Sequence, residues 1–181
     1  MTRQEALELL QKHLKNKNLV KHCLAVEACM KAVAVRLGHD PEPWGLAGVV
    51  HDLDYELTEK SPEFHTTETV KILESLGVSP QVIHAVKAHA SKAPCEEPMD
   101  WAIYSIDPLT GLIIAATLMH PTKKIKAIDL EFVKRRYKEK SFARGARREE
   151  IEECGKLGLE LDEFIGICLS AMQGIDAELG L

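Results

Sequence analysis

The feature that most limits what this chain can fold into is the spacing of its apolar residues. Nearly every segment repeats at three and four positions, and no stretch alternates apolar with polar residues for long enough to demand a strand. That period predicts an all-α fold. Thr2 followed by Glu5 makes a capping box for a first helix running to about residue 15. A second helix, from about Leu19 to Leu37, is stopped by Gly38 and the Gly-His-Asp-Pro turn. A third starts near Pro43 and carries GLAGVVHDLD. Ser61-Pro62 opens a fourth that closes at Gly77, and Ser79-Pro80 opens a fifth with proline at the favoured first position. After a Pro-rich loop, a long apolar helix runs from about Asp100 to Met119 and is ended by Pro121.

From Lys123 the character changes: a charge-dense stretch is followed by LDEFIGICLSAMQGI, which is again amphipathic. No linker, repeat or low-complexity tract sets this part aside. The expected organisation is a helical bundle over residues 1–122 with a helical C-terminal extension, 123–181, packed on the same core. A length of 181 residues suits one such unit, and the apolar last helix offers a face for a homodimer.

A formal net charge of -5 gives no general attraction to polyanions, so no nucleic-acid polymer is expected as a partner. The start, MTRQEALELL, lacks the apolar stretch of a secretory signal. No apolar run approaches the roughly 18 residues of a spanning helix, so no membrane is expected either. Cys23, Cys29, Cys95, Cys154 and Cys168 are scattered and form no CxxC pair, which reads as free thiols in a reducing cytoplasm.

The candidate chemistry lies in polar residues set among apolar ones. His22 shares a helical face with Leu19, Val26, Cys29, Met30 and Val33; taken alone it reads as a core histidine satisfied by a backbone carbonyl. His51-Asp52 follows the small apolar run LAGVV, which leaves little room to present an imidazole or a carboxylate to water. A buried carboxylate needs a cation, and a metal ion answers for adjacent nitrogen and oxygen donors. Asp107 interrupts WAIYSIDPLTGLIIAA in the same way, or else caps a segment beginning at Pro108. His65 and His89 complete four imidazoles and two carboxylates, enough donors for two transition ions with positions left for water and substrate. His13, His39, His84 and His120 share no apolar face with a carboxylate and read as structural or solvated.

The order H…HD…H…H…D over successive helices resembles the HD-domain phosphohydrolase superfamily. HCLAVEACMKAVAVRLGHDPEPWGLAGVVHDLD, EFHTTETVKILESLGV and VIHAVKAHA look most like its HDIG-type branch, which includes enzymes that cleave diadenosine tetraphosphate symmetrically. The likeness covers roughly residues 18 to 115. It implies a helical HD-domain bundle with His22, His51, Asp52 and Asp107 as metal ligands. In dinuclear members the further histidines, matched here by His65 and His89, hold a second ion, and Asp52 bridges the pair. The implied cofactor is one or two divalent ions, commonly iron or manganese, with magnesium, nickel, cobalt or zinc as other choices. Water activated there would attack phosphorus.

Where many relatives carry a lysine four residues after the motif histidine, this chain has Tyr55, flanked by Asp54 and Glu56. These two carboxylates are candidate general acids or bases beside Asp52, and equally candidate helix caps. The basic run from Lys134 to Arg148 reads either as a solvated, salt-bridged surface or as a lid. In the lid reading Lys140, Arg144, Arg147 and Arg148 grip substrate phosphates and Gly145 lets the loop bend. The functional expectation is a metal-dependent phosphohydrolase for a small phosphorylated substrate, a nucleotide first. The alternatives are an HD-type di-iron oxygenase and a non-catalytic metal-binding regulatory module.

Overall fold

A computed structural model describes residues 1–181. The all-α expectation holds: eleven α-helices and three short 3-10 turns account for the regular structure, with no strand. They are α1 (Arg3–His13), α2 (Lys17–Arg36), α3 (Pro41–Val50), α4 (Tyr55–Thr58), α5 (Thr67–Ser75), α6 (Pro80–His89), α7 (Pro98–Met119), α8 (Leu130–Lys138), α9 (Arg148–Glu152), α10 (Leu161–Gly174) and α11 (Asp176–Leu179).

Two long helices organise the core. α2 buries Cys23, Val26, Cys29, Met30 and Val33 on one stripe, and α7 buries Ile103, Ile106, Leu109, Leu112 and Ile113. By length and composition α7 is apolar enough to cross a bilayer, which the sequence reading did not anticipate, but most of it lies inside the bundle. It runs unbroken through Pro108. α3 packs most closely of all on α2, and Gly48 is the reason. A Cβ there would come within 2.8 Å of the Glu27 backbone nitrogen and 2.9 Å of its Cα, so only glycine permits this approach. α10, with Phe164, Ile165, Cys168, Leu169 and Met172 buried, packs back against α2 and α8.

Capping follows the sequence where the signals are local. Thr2 and Glu5 form the reciprocal box at α1, Asp40 caps α3, and Ser79 caps α6 with Pro80 at its first position. The expected fourth helix, from Ser61 to Gly77, differs. A 3-10 turn at Pro62–Phe64 gives way to a break at His65 and Thr66, and α5 begins only at Thr67. Thr66 sits in the left-handed region at φ 72°, a conformation costly for a β-branched residue. The Asp54 carboxylate offsets that cost by accepting the backbone N–H groups of Thr66, Glu68 and Thr69 at the start of α5.

Candidate metal centre

Six side chains meet where these elements converge. His22 comes from α2, His51 and Asp52 from the turn after α3, His65 from the break before α5, His89 from the last residue of α6, and Asp107 from the middle of α7. Asp52 is their hub. Its Oδ2 lies 3.8 Å from His22 Nε2 and 3.5 Å from His51 Nε2, while its Oδ1 lies 3.2 Å from His65 Nε2 and 3.4 Å from His89 Nε2. Asp107 Oδ1 stands 2.9 Å from His22 Nε2 and 3.8 Å from His51 Nε2. The two oxygens of one buried carboxylate therefore face two different pairs of histidines.

All four imidazoles turn the same nitrogen inward because the other is tethered from outside. His51 Nδ1 lies 2.8 Å from the Gly48 carbonyl and His89 Nδ1 lies 2.6 Å from that of Val86. A carbonyl only accepts, so Nδ1 carries a proton in both rings and Nε2 is the nitrogen turned to the cluster. His65 Nδ1 is 2.9 Å from Asp54 Oδ1. His22 Nδ1 is 3.1 Å from the Thr110 hydroxyl, which itself donates to the Asp107 carbonyl at 2.9 Å. Partners of this kind orient imidazoles for a metal and raise their basicity.

The donor set fits a divalent transition ion. His51 Nε2 is fully buried and has no hydrogen-bond partner, an expensive state for a lone pair that faces no donor. His65 Nε2 and His89 Nε2 approach to 3.2 Å, so a proton or a cation must lie between them. Two triads, His22–His51–Asp107 and His51–Asp52–His89, each bring their ligand atoms within 4.8 Å of one another, close enough to share an ion. Mixed imidazole and carboxylate donors suit iron, manganese, zinc or nickel.

The charges in the cluster support one another. Burial drives His51 down to about 4, against the pull of Asp52, and keeps it neutral. Burial also works against a charge on His65, but its bonds to Asp52 and Asp54 prevail and raise it to about 9. Asp52 stays well below the usual carboxylate range, because the surrounding imidazoles outweigh its burial. The centre opens on a cavity of about 630 Å³ that is also lined by Ala143, Gly145, Ala146, Arg147 and Glu150.

Several expectations need correction. Asp54 is 1% exposed and its carboxylate is filled by His65 and three backbone N–H groups, so it positions His65 and caps α5 rather than exchanging protons with a substrate. Glu56 faces away from the cavity and accepts the backbone N–H groups of Lys15 and Asn16 at the entry to α2. His65 lies in a backbone break, not on a helix. The Arg148 guanidinium donates to the carbonyls of Arg136, Tyr137, Glu139, Phe142, Ala143 and Ala146, which ties down the 139–147 loop and leaves no donor for a phosphate. Arg147 does reach the cavity, paired with Glu150. Lys140 and Arg144 line a neighbouring depression that meets the cavity at Ala146 and Arg147.

Sequence reasoning missed Tyr55, Thr110 and Glu150. Tyr55 lines the cavity and stands edge-on to His65, and its place after HDLD was the available signal. Thr110 follows Asp107 by three positions, one helical turn, and so could have been found by spacing. Glu150 is far away in sequence and carried no signal.

Residues 19–102 match the family model of the HD domain, a stretch that holds every candidate metal ligand except Asp107. Among curated proteins the chain is similar to ribonuclease Y of Syntrophobacter fumaroxidans, 26% identical over 94 residues. It is also similar to ribonuclease Y of Nitratidesulfovibrio vulgaris, 25% identical over 96 residues. The aligned stretch is 52% and 53% of this chain respectively, but in each case spans only 18% of the relative's own length. The narrower likeness to symmetrical diadenosine tetraphosphate hydrolases finds no support in these relatives. No solved structure gives a significant match. The family match and the histidine–aspartate cluster point the same way: residues 19–102 are similar to an HD domain.

Proposed function

We propose that this chain is a metal-dependent phosphohydrolase acting on a small phosphorylated substrate of the nucleotide class, with one or two divalent ions at Asp52, iron or manganese first. The observation that supports it most is the set of four tethered imidazoles divided between the two oxygens of one buried carboxylate. A divalent ion bound there lowers the pKa of water and offsets the charge that grows on the phosphoryl oxygens.

The chain's own residues set the geometry. His22, His51 and Asp107 would hold one ion and His65 and His89 another, with Asp52 near both groups. In the same cavity Arg147 holds a guanidinium whose planar fork matches phosphate oxygens. Lys140 and Arg144 extend that positive charge into the adjoining depression, where a second phosphate of the substrate would lie. Arg148 fixes the loop that carries these groups.

A second reading replaces the nucleotide with an RNA strand. It is favoured by the name of the relatives, ribonuclease Y, and by a cavity that continues into a basic depression. The test begins with elemental analysis of the purified protein and of Asp52→Ala. Metal-loaded protein is then assayed against nucleoside phosphates, dinucleoside polyphosphates and short single-stranded RNA. Metal present in the wild type and lost in the variant, with turnover of one class, supports the proposal and chooses between its readings. Oxygen consumption without phosphate release selects the di-iron oxygenase instead. Absence of metal after reconstitution leaves a regulatory module.

A further inference from the structure

We infer that Glu150 is the acid that delivers a proton to the departing oxygen, an inference that rests on the hydrolytic reading above. Three carboxylates face the cavity: Asp52, Asp107 and Glu150. The first two are taken up with imidazoles. Glu150 lines the same cavity from α9, where it is 9% exposed and touches none of the six candidate ligands through an ion pair or hydrogen bond. Its partners are Arg147, with which it forms an ion pair, and the Tyr104 hydroxyl from α7. Burial raises its hold on a proton, with a further push from the charge of Asp107, while Arg147 and Tyr104 work the other way.

The pairing with Arg147 supplies a way to load the acid. Arg147 lines the same cavity, so an entering phosphate competes with Glu150 for its guanidinium. Once Arg147 turns to the phosphate, Glu150 loses the positive charge that favoured its ionised form and takes up a proton from solvent. In the reaction the oxygen of a water bonds to phosphorus and that water releases one proton to solvent. The bond from phosphorus to the leaving oxygen breaks, its electron pair stays on that oxygen, and Glu150 donates its proton there. The Glu150 carboxylate is left ionised and pairs again with Arg147 as product leaves; the proton taken up on loading matches the one the water released, and the sum is ordinary hydrolysis. Apart from the candidate ligands and Arg147, the other proton-bearing side chain on the cavity wall is Tyr55, but burial and the nearby Asp52 push its phenol above its ordinary value and make it a poorer acid.

The test uses metal-loaded Glu150→Gln and two substrates: 4-nitrophenyl phosphate, whose phenolate leaves without a proton, and a nucleoside 5′-monophosphate, whose alkoxide needs one. We expect kcat to fall by about 100-fold or more on the nucleotide and by less than about 3-fold on the aryl ester, the range of general acid catalysis. Metal content and melting temperature should match the wild type. Equal losses on both substrates, or loss of metal from the variant, overturn the inference and leave the hydrolytic reading standing. The same leaving-group split appearing in Tyr55→Phe instead of Glu150→Gln overturns it in favour of the phenol. A metal-loaded wild type that hydrolyses neither ester nor RNA overturns the hydrolytic reading itself, and this inference with it.

Discussion

The two flanks of Asp52 use the same chemistry and are built differently. On one flank His22 and Asp107 stand on the long helices α2 and α7, and His51 closes α3, whose approach to α2 depends on Gly48. On the other flank His89 ends α6, but His65 hangs from a backbone break that Asp54 holds together. The first flank inherits its geometry from core packing, so it is as rigid as the bundle. The second depends on one carboxylate cage, so a single side chain decides whether it exists.

That contrast can be broken in stages. Asp52→Ala removes the group common to both flanks, and elemental analysis should find all bound metal gone; retention of metal in this variant would falsify the hub assignment. Asp54→Asn should act on one flank only. It removes a charged partner from His65, and metal titration should show roughly 10- to 100-fold weaker binding of one ion with the other unaffected. Equal weakening of both ions would show the flanks to be a single unit. Gly48→Ala is the mirror experiment. The added Cβ meets the Glu27 backbone, which cannot move aside as a flexible side chain would, so thermal unfolding should report a loss of about 1–3 kcal/mol. A melting temperature equal to the wild type would mean that α2 and α3 separate freely.

The smallest effect is a pH dependence confined to the His65 flank. His65 rises to about 9 in the folded, metal-free chain from an ordinary value of about 6.5. A raised folded value favours the protonated native state, so this stabilisation is fully present below about pH 6.5 and disappears as pH rises through about 9. Melting temperatures of the metal-free protein should fall across that window, and His65→Gln should flatten the fall. An unchanged slope in the variant would place the titrating group elsewhere.

Much of the first flank was legible in the sequence because its rules are local or periodic. A carboxylate in the apolar centre of a helix, as at Asp107, or beside a histidine after LAGVV, as at Asp52, announces an unpaid desolvation cost. The roles of Asp54 and Glu56 were not legible. Both looked available beside the motif, but Asp54 accepts from residues 65 to 69 and Glu56 from residues 15 and 16. The basic run was half legible. Its density was plain, but nothing local separates Arg147, which faces the cavity, from Arg148, whose donors go to the loop's own carbonyls.

Periodicity and capping in the sequence alone determined the all-α class, the start of most helices and the donors a metal could use, because helix formation and burial obey short-range rules. Only the tertiary structure decided which nitrogen of each histidine turns inward, that one carboxylate is shared by two pairs, and that Glu150 lines the same cavity. Those outcomes depend on hydrogen bonds and approaches between residues as far apart as His22 and Thr110, and such partners become neighbours only when the helices pack.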